Sequence, residues 1–251
     1  ASQASEWHVD LMQKEALQQM IKEESEKRIV KAQEVRQSTG AELERWKLAA
    51  EAELSNNFVK QNAYHVSTKA ERDAFGTPLP MLCVWSKDDA MDYMKCRACV
   101  CGNFADVDPT AQSWTAQAEP SSLLSALKFG RTKRWAISKH DVKGAFLNAK
   151  IPDGKLVIVT PPKQCVDWGL VPPGETWTLE KAVYGLRESP RLWSEERDRQ
   201  LLRVEWKVGK ETYYLQRCAA DSQLWTLKST DPSRKNEILG IPVSYTHLTL
   251  P

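Results

Sequence analysis
Three stretches of this sequence carry residues whose types and spacing could do chemistry. The string WAISKHDVKGAFLNAK, residues 135–150, brings Asp141 to the end of a strand-like run and passes at once into a short helical turn with Phe146 and Leu147. A carboxylate at a strand end is well placed to hold a hard cation, because the strand fixes the backbone and the next turn opens the site. The plainer role of a single such Asp is a helix cap or a turn former. Downstream, LEKAVYGLRESPRLW, residues 179–193, sets Tyr184-Gly185-Leu186 before a Pro-started helix. Upstream, KCRACVCGNF, residues 95–104, is a basic strand candidate that ends in Gly102.

The same upstream stretch holds a C-x-x-C-x-C cluster, Cys96, Cys99 and Cys101, among six cysteines in all. A tetrahedral zinc site usually needs a second ligand pair at a short spacing, and none follows: His140 and Cys165 are isolated. Strand-buried free thiols in a reducing compartment are the expectation. The chain's 251 residues are 41% apolar and 27% charged, enough for a sizeable core in one or two domains. The net charge of +2 announces no polyanion partner by itself, so a nucleic-acid surface must be local. No run of about 18 apolar residues and no signal-peptide stretch are present, which leads to the expectation of a cytosolic or nuclear protein with no membrane partner.

The elements that must position these residues fall into two textures. From about Ser5 to Leu54 the sequence is rich in Glu, Lys, Gln and Ala, which predicts two helices with a break near Ser38-Thr39-Gly40. The second helix carries Leu43, Trp46, Ala50 and Leu54 at spacings of three and four, a face that should pack. Leu11, Leu17, Met20, Ile21, Val30 and Val35 make only a ragged stripe, so a sustained coiled coil is not expected. Beyond Gly76, short apolar runs punctuated by Pro and Gly predict a mixed α/β region. The strand candidates are 81–85, 95–101, 135–141, 155–160, 176–179, 212–215 and 223–227. Helices are expected over 121–129, with Leu123, Leu124 and Leu127 on one face, and over 189–204, with Leu192, Trp193 and Leu201. Both should cover one side of a sheet.

The order of the three stretches adds what no single one supplies. Together they resemble the polymerase of copia-type retrotransposons, whose strings run approximately K-A-R-L-V-x-x-G, then D-V-K-T-A-F-L-N-G, then L-Y-G-L-K-Q-A-P-R-x-W. Weaker agreements extend the likeness to roughly residues 42–228: GAELERWKLAAEAELSNN is similar to the family's first helix, LPMLCVW to its first fingers strand, and DSQLW to its D-P-S-L-F element. The implied fold is α+β, the fingers and partial palm of a right-hand polymerase, preceded by long helices. The implied division is a helical linker over 1–41, the polymerase part over 42–240, and a tail over 241–251. The tail string PVSYTHLTLP breaks the preceding pattern and looks like adapter-derived translation.

The resemblance also implies roles for individual residues. Reverse transcriptases extend a primer by attack of its 3′ hydroxyl on the α-phosphate of a deoxynucleotide, with two magnesium ions about 4 Å apart. Asp141 matches the first metal-binding aspartate, shared by both ions. The backbone from Val142 onward would lie near the triphosphate, and Phe146 matches the bulky residue that occupies the space of a ribose 2′ hydroxyl, although core packing would also place a Phe there. Tyr184 and Gly185 match residues that bed the incoming nucleotide and templating base, where Gly permits close backbone approach. Lys95 and Arg97 match basic residues that contact triphosphate and template. Where the family often carries one more basic residue, Cys101 stands nearby, which weakens the basic patch.

One departure outweighs the others. The family's Tyr-Val-Asp-Asp hairpin should follow DSQLW, and the chain runs instead through NEILGIP. One carboxylate cannot hold two cations at working separation, so this polypeptide is expected to be inactive alone. In the complete parent enzyme the cofactor would be Mg²⁺, the partners an RNA or DNA template-primer and deoxynucleotides, and the setting a virus-like particle. No ribonuclease H, integrase or protease motifs are found. Two alternatives stay open: a catalytically dead nucleic-acid-binding remnant, and a helical interaction protein whose working part is residues 5–54. A zinc-binding module ranks third.

Overall fold
LPMLCVW is a continuous apolar run and MKCRA alternates apolar with basic residues, and in a computed structural model these stretches fall in the two longest strands among the described residues. The described residues are 27–89, 92–105, 118–138, 141–234 and 237–243. In chain order their elements are β1 (Lys27–Val30), α1 (Ala32–Gln37), α2 (Gly40–Glu53), β2 (Tyr64–Val66), α3 (Lys69–Phe75), β3 (Leu79–Asp88), β4 (Tyr93–Val100), α4 (Pro120–Thr132), β5 (Ile158–Thr160), α5 (Lys163–Asp167), β6 (Trp177–Leu179), α6 (Ser189–Arg203), β7 (Glu205–Val208), β8 (Glu211–Arg217) and β9 (Trp225–Ser229). The chain divides into two units, residues 1–105 with 156–180 and residues 106–155 with 181–251. Among the described residues no helix is long and apolar enough to cross a membrane.

In the first unit β3 is the spine. It pairs antiparallel with β4 from Met81↔Val100 to Asp88↔Tyr93 and with β1 over its second half, and its start runs parallel to β5. β5 continues antiparallel to β6, and β6 to β2. Strand alternation gives β4 one buried row, Met94, Cys96, Ala98 and Val100, and puts Lys95 and Arg97 on the other face. Indole packing holds α2 against the sheet: Trp46 meets Trp85 edge-on with ring centroids 5.5 Å apart, and Trp168 lies 5.7 Å from Trp85. Of the four residues on the expected face, Trp46, Ala50 and Leu54 are buried and Leu43 is half-buried.

After Glu53 the helix changes winding. Leu54–Val59 form a π-helical segment, in which Lys60 N–H donates to Ser55 O at 2.9 Å and Ala63 N–H to Phe58 O at 2.9 Å. Such widened turns shift the register of one helix face against the next. Here Leu54 and Phe58 enter the core, and Phe58 packs 5.6 Å from Trp177.

The first predicted helix is corrected where the structure describes it. Its residues before Lys27 lie outside the described residues, while 27–30 form β1 and only Ala32–Gln37 are helical. Pairing with the edge of β3 overrides the helical bias of a Lys- and Glu-rich run. The helical interaction reading therefore loses the continuity of its 5–54 segment. The break at Ser38-Thr39 is found as expected.

In the second unit α6 packs on the turn at Ala145–Asn148 and on β8, and β7, β8 and β9 form an antiparallel sheet. Residues 239–243 run along β9: Leu239 N–H donates to Leu227 O, Leu227 N–H to Gly240 O, and Trp225 N–H to Pro242 O. The expected tail thus contributes Pro242 to this edge, and its residues 244–251 lie outside the described ones. Arg217 lies over the buried Trp225 ring, 5.0 Å from its centroid, and also pairs with Asp198. The Asp221 carboxylate accepts from Glu119 N–H at 3.0 Å and Gln223 N–H at 2.9 Å, which caps the start of α4. Of the α4 leucines expected to cover a sheet, Leu124 is 59% and Leu127 38% exposed.

The predicted strand 135–141 does not form. Residues 135–138 and Asp141 are irregular, and 139–140 lie outside the described residues. The cause is the way α4 ends. Arg134 takes φ +56°, its N–H donates to Arg131 O at 3.0 Å, and Trp135 N–H donates to Gly130 O at 2.9 Å. That pair of bonds is the Schellman termination, and it uses Trp135 before any strand can start. Glycine is the usual residue at the left-handed position; any other costs about 1–2 kcal/mol.

One surface cluster makes the first unit sensitive to pH. His65 on β2 bonds Glu71 Oε1 through Nε2 at 2.9 Å and Glu180 Oε1 through Nδ1 at 2.7 Å, and Glu71 also closes a capping box with Thr68. Desolvation disfavours the charged ring, but the bonds to both glutamates outweigh it and raise its pKa. The Thr68 backbone and hydroxyl donors, then His65, hold Glu71 down to about 2. A raised folded pKa means that the His65 contribution is complete below the unfolded value of about 6.5 and is lost as pH rises through the folded value. Thermal melts from pH 5 to pH 9 should show this loss in the wild type and not in His65→Gln; parallel curves for the two proteins would contradict it.

Candidate active site
The residues after Asp141 are shaped by a glycine. Gly144 takes φ +59°, which only glycine adopts cheaply, and opens a 3₁₀ turn over Ala145–Asn148. Asn148 Nδ2 donates back to Gly144 O at 3.1 Å and closes the turn. Leu147 and Ala149 are buried and anchor the segment, while Asp141 and Val142 are exposed and Phe146 is half-buried.

The Tyr184 stretch comes to this turn. Ala182 N–H donates to Ala149 O at 2.9 Å, and Lys150 and Lys181 form an antiparallel bridge. Buried Ala182 and Val183 fix the approach, and the Tyr184 ring then meets Phe146 edge-on, centroids 5.0 Å apart at 69°. Such a contact adds about 0.5–1.5 kcal/mol beyond area burial. Gly185 follows with φ +90°. The loop closes where buried Ser189 donates from Oγ to Val183 O at 2.6 Å, and α6 starts with Pro in its first turn. Lys155 Nζ bonds Glu188 at 2.6 Å and ties a second loop to this helix start.

Lys95 and Arg97 belong to the first unit. Lys95 is half-buried and Arg97 exposed on β4, opposite Ser86 and Val84. Both cations act on Glu53, a carboxylate missed in the sequence. Its carboxylate is buried and accepts Ala98 N–H at 3.1 Å on the strand edge away from β3, and Asn57 of the π segment donates to its other oxygen. Desolvation raises the Glu53 pKa; the Ala98 and Asn57 bonds and the charges of Lys95 and Arg97 oppose that rise. The available clue was a carboxylate three positions after Ala50 on an otherwise apolar face.

The cysteine cluster splits across the strand. Cys96 and Cys99 stand an odd number of residues apart on β4 and so face opposite sides. Burial, with the charge of Glu53, pushes the Cys99 thiol up to about 11. Cys165 meets Cys83 at 3.7 Å, and that contact with burial holds it as the neutral thiol. Among the described residues no group of three or more His, Cys, Asp or Glu side chains is arranged to hold a metal ion. Asp141 offers one carboxylate, which does not fit the donor set of a two-magnesium site. An open cavity of about 410 Å³ in the second unit is lined by Ser121, Phe129, Asp221, Leu224 and others, and none of the seven expected site residues lines it.

A family model described as reverse transcriptase (RNA-dependent DNA polymerase) matches residues 82–216, more than half of the chain and all seven of those residues. No curated protein and no solved structure matches the chain.

Two backbone and burial constraints can be tested by unfolding in urea. Gly185→Ala should lower stability by about 1–2 kcal/mol, because a Cβ is strained at φ +90°. Glu53→Ala orphans the Ala98 N–H and should cost about 1–3 kcal/mol, whereas Glu53→Gln keeps an acceptor and should cost less. Equal losses for the two Glu53 variants would contradict the bond's role.

Proposed function
We propose, on the premise that this chain belongs to the reverse transcriptase (RNA-dependent DNA polymerase) family, that it carries the fingers and early palm of a copia-type retrotransposon polymerase. The observation that carries this reading is the Phe146–Tyr184 contact beside the Ala182–Ala149 bond, which joins the Asp141 stretch to the Tyr184 stretch in the order the resemblance requires. A half-buried Phe that leans on a Tyr has a fixed ring, and a fixed ring can exclude a ribose 2′ hydroxyl. Gly185, without a side chain, leaves the backbone open to a base. Asp141, exposed near this turn in sequence, is the carboxylate that would serve as a cation ligand in the complete parent enzyme, with the Val142 backbone next to it. Lys95 and Arg97 would neutralise phosphates of nucleotide or template.

Mg²⁺ belongs to the complete parent enzyme, which would act on deoxynucleotides and an RNA or DNA template-primer. Within these 251 residues no Tyr-Val-Asp-Asp string occurs, so the second carboxylate pair for the cations is not supplied. The polypeptide alone therefore grips template-primer without extending it.

Pure protein incubated with Mg²⁺, deoxynucleotides and a primed homopolymer template should yield no extension product. It should bind the same duplex, and Lys95→Ala with Arg97→Ala should weaken that binding about tenfold in low salt, as expected for two lost phosphate contacts. Saturable extension would overturn the inactivity, and no duplex binding at any salt would overturn the function.

A further inference from the structure
We propose that the C-terminal turn of α4 is a second nucleic-acid contact, a basic ledge for a single strand of the template. Between Pro120 and Ser138 stand four cations, Lys128, Arg131, Lys133 and Arg134, and no carboxylate, in a chain whose net charge is only +2. All four are exposed. Positive charge is therefore concentrated along this stretch of the sequence.

The ledge also has the aromatic surface that single strands use. Phe129 and Trp135 meet edge-on with centroids 5.5 Å apart, Phe129 is 36% exposed, and Lys133 Nζ lies 5.7 Å from the Phe129 centroid. Stacked bases beside paired phosphates are the common recognition mode for single-stranded nucleic acid. The Schellman bonds fix the backbone that presents these side chains.

Cations in the last turn of a helix also complement its dipole, which by itself accounts for Arg131 and Lys133. It does not account for Arg134. That residue sits in the left-handed position where glycine is favoured, one residue past the helical cap, and keeps a cation there at a conformational cost. Glu237 feels the charge of Lys133 and is itself bonded to Arg234 at 2.7 Å. An anionic membrane would also be drawn to four cations, yet the aromatic pair and the family favour a nucleic acid.

The inference deepens the proposed function and rests on it for the identity of the polyanion. Arg134→Gly offers a clean probe, because glycine relieves the backbone while removing the charge. The full chain, Arg134→Gly with Lys133→Gln, and Lys95→Ala with Arg97→Ala would be titrated by fluorescence anisotropy against a labelled single-stranded 20-mer and a template-primer duplex across salt. Vesicles of phosphatidylserine and phosphatidylcholine complete the set. The ledge variant should melt no lower than wild type, lose about tenfold in single-strand affinity at low salt, and show a log K against log salt slope smaller by about 1.4. Full single-strand affinity in that variant, with duplex binding still weakened by Lys95→Ala and Arg97→Ala, would overturn the ledge and leave the function standing. No nucleic-acid binding by the wild type would overturn both. Loss of vesicle binding alone in the ledge variant would assign the patch to a lipid surface instead.

Discussion
The candidate site depends on a short backbone splice, the Ala182 N–H to Ala149 O bond with its Lys150–Lys181 bridge. One hydrogen bond contributes only about 0.5–1.5 kcal/mol net, so burial of Leu147, Ala182 and Val183 must hold the splice closed. With it closed, Phe146 meets Tyr184, and Gly185 and the start of α6 follow from there. Ser189 secures the far side by bonding Val183 O from within the helix start. Without the splice, only the packing of α6 on the Ala145–Asn148 turn and the Lys155–Glu188 pair would link the two stretches.

In the first unit the corresponding constraint is Glu53. A buried carboxylate is costly unless its oxygens are bonded, and here a backbone N–H from β4 and Asn57 of the π segment bond them. Asn57 stands four positions after Glu53, so it lies on the same helix face and reaches back to it, while Leu54 and Phe58 enter the core. The same carboxylate moderates the field of Lys95 and Arg97, so the cations assigned to phosphate contact are not isolated charges.

Much of this was legible in the residues and some of it was not. α2 announced itself by Trp46, Ala50 and Leu54 at helical spacing, and β3 and β4 by short apolar runs, because local pattern and tertiary burial agree there. β1 was misread as helix since its four residues owe their state to a partner strand, which composition does not reveal. The 135–141 strand was misread for a different reason: an arginine occupies the left-handed cap where glycine would have marked the helix end. For the site, the order of the Asp141 and Tyr184 stretches showed that they belong together, whereas the ring contact between Phe146 and Tyr184 needed the fold. Glu53 was readable only as an anomaly on an apolar face.

Nucleotide placement is the central property proposed for the Phe146–Tyr184 site. Backbone amide NMR of the full chain titrated with a deoxynucleoside triphosphate and Mg²⁺, and in parallel with the matching ribonucleotide, would locate the ligand. The expected result is shifts at Asp141, Val142, Phe146, Tyr184 and Gly185 with the deoxynucleotide, and weaker binding of the ribonucleotide. Shifts confined to other residues, or equal affinity for both sugars with Phe146 undisturbed, would contradict it.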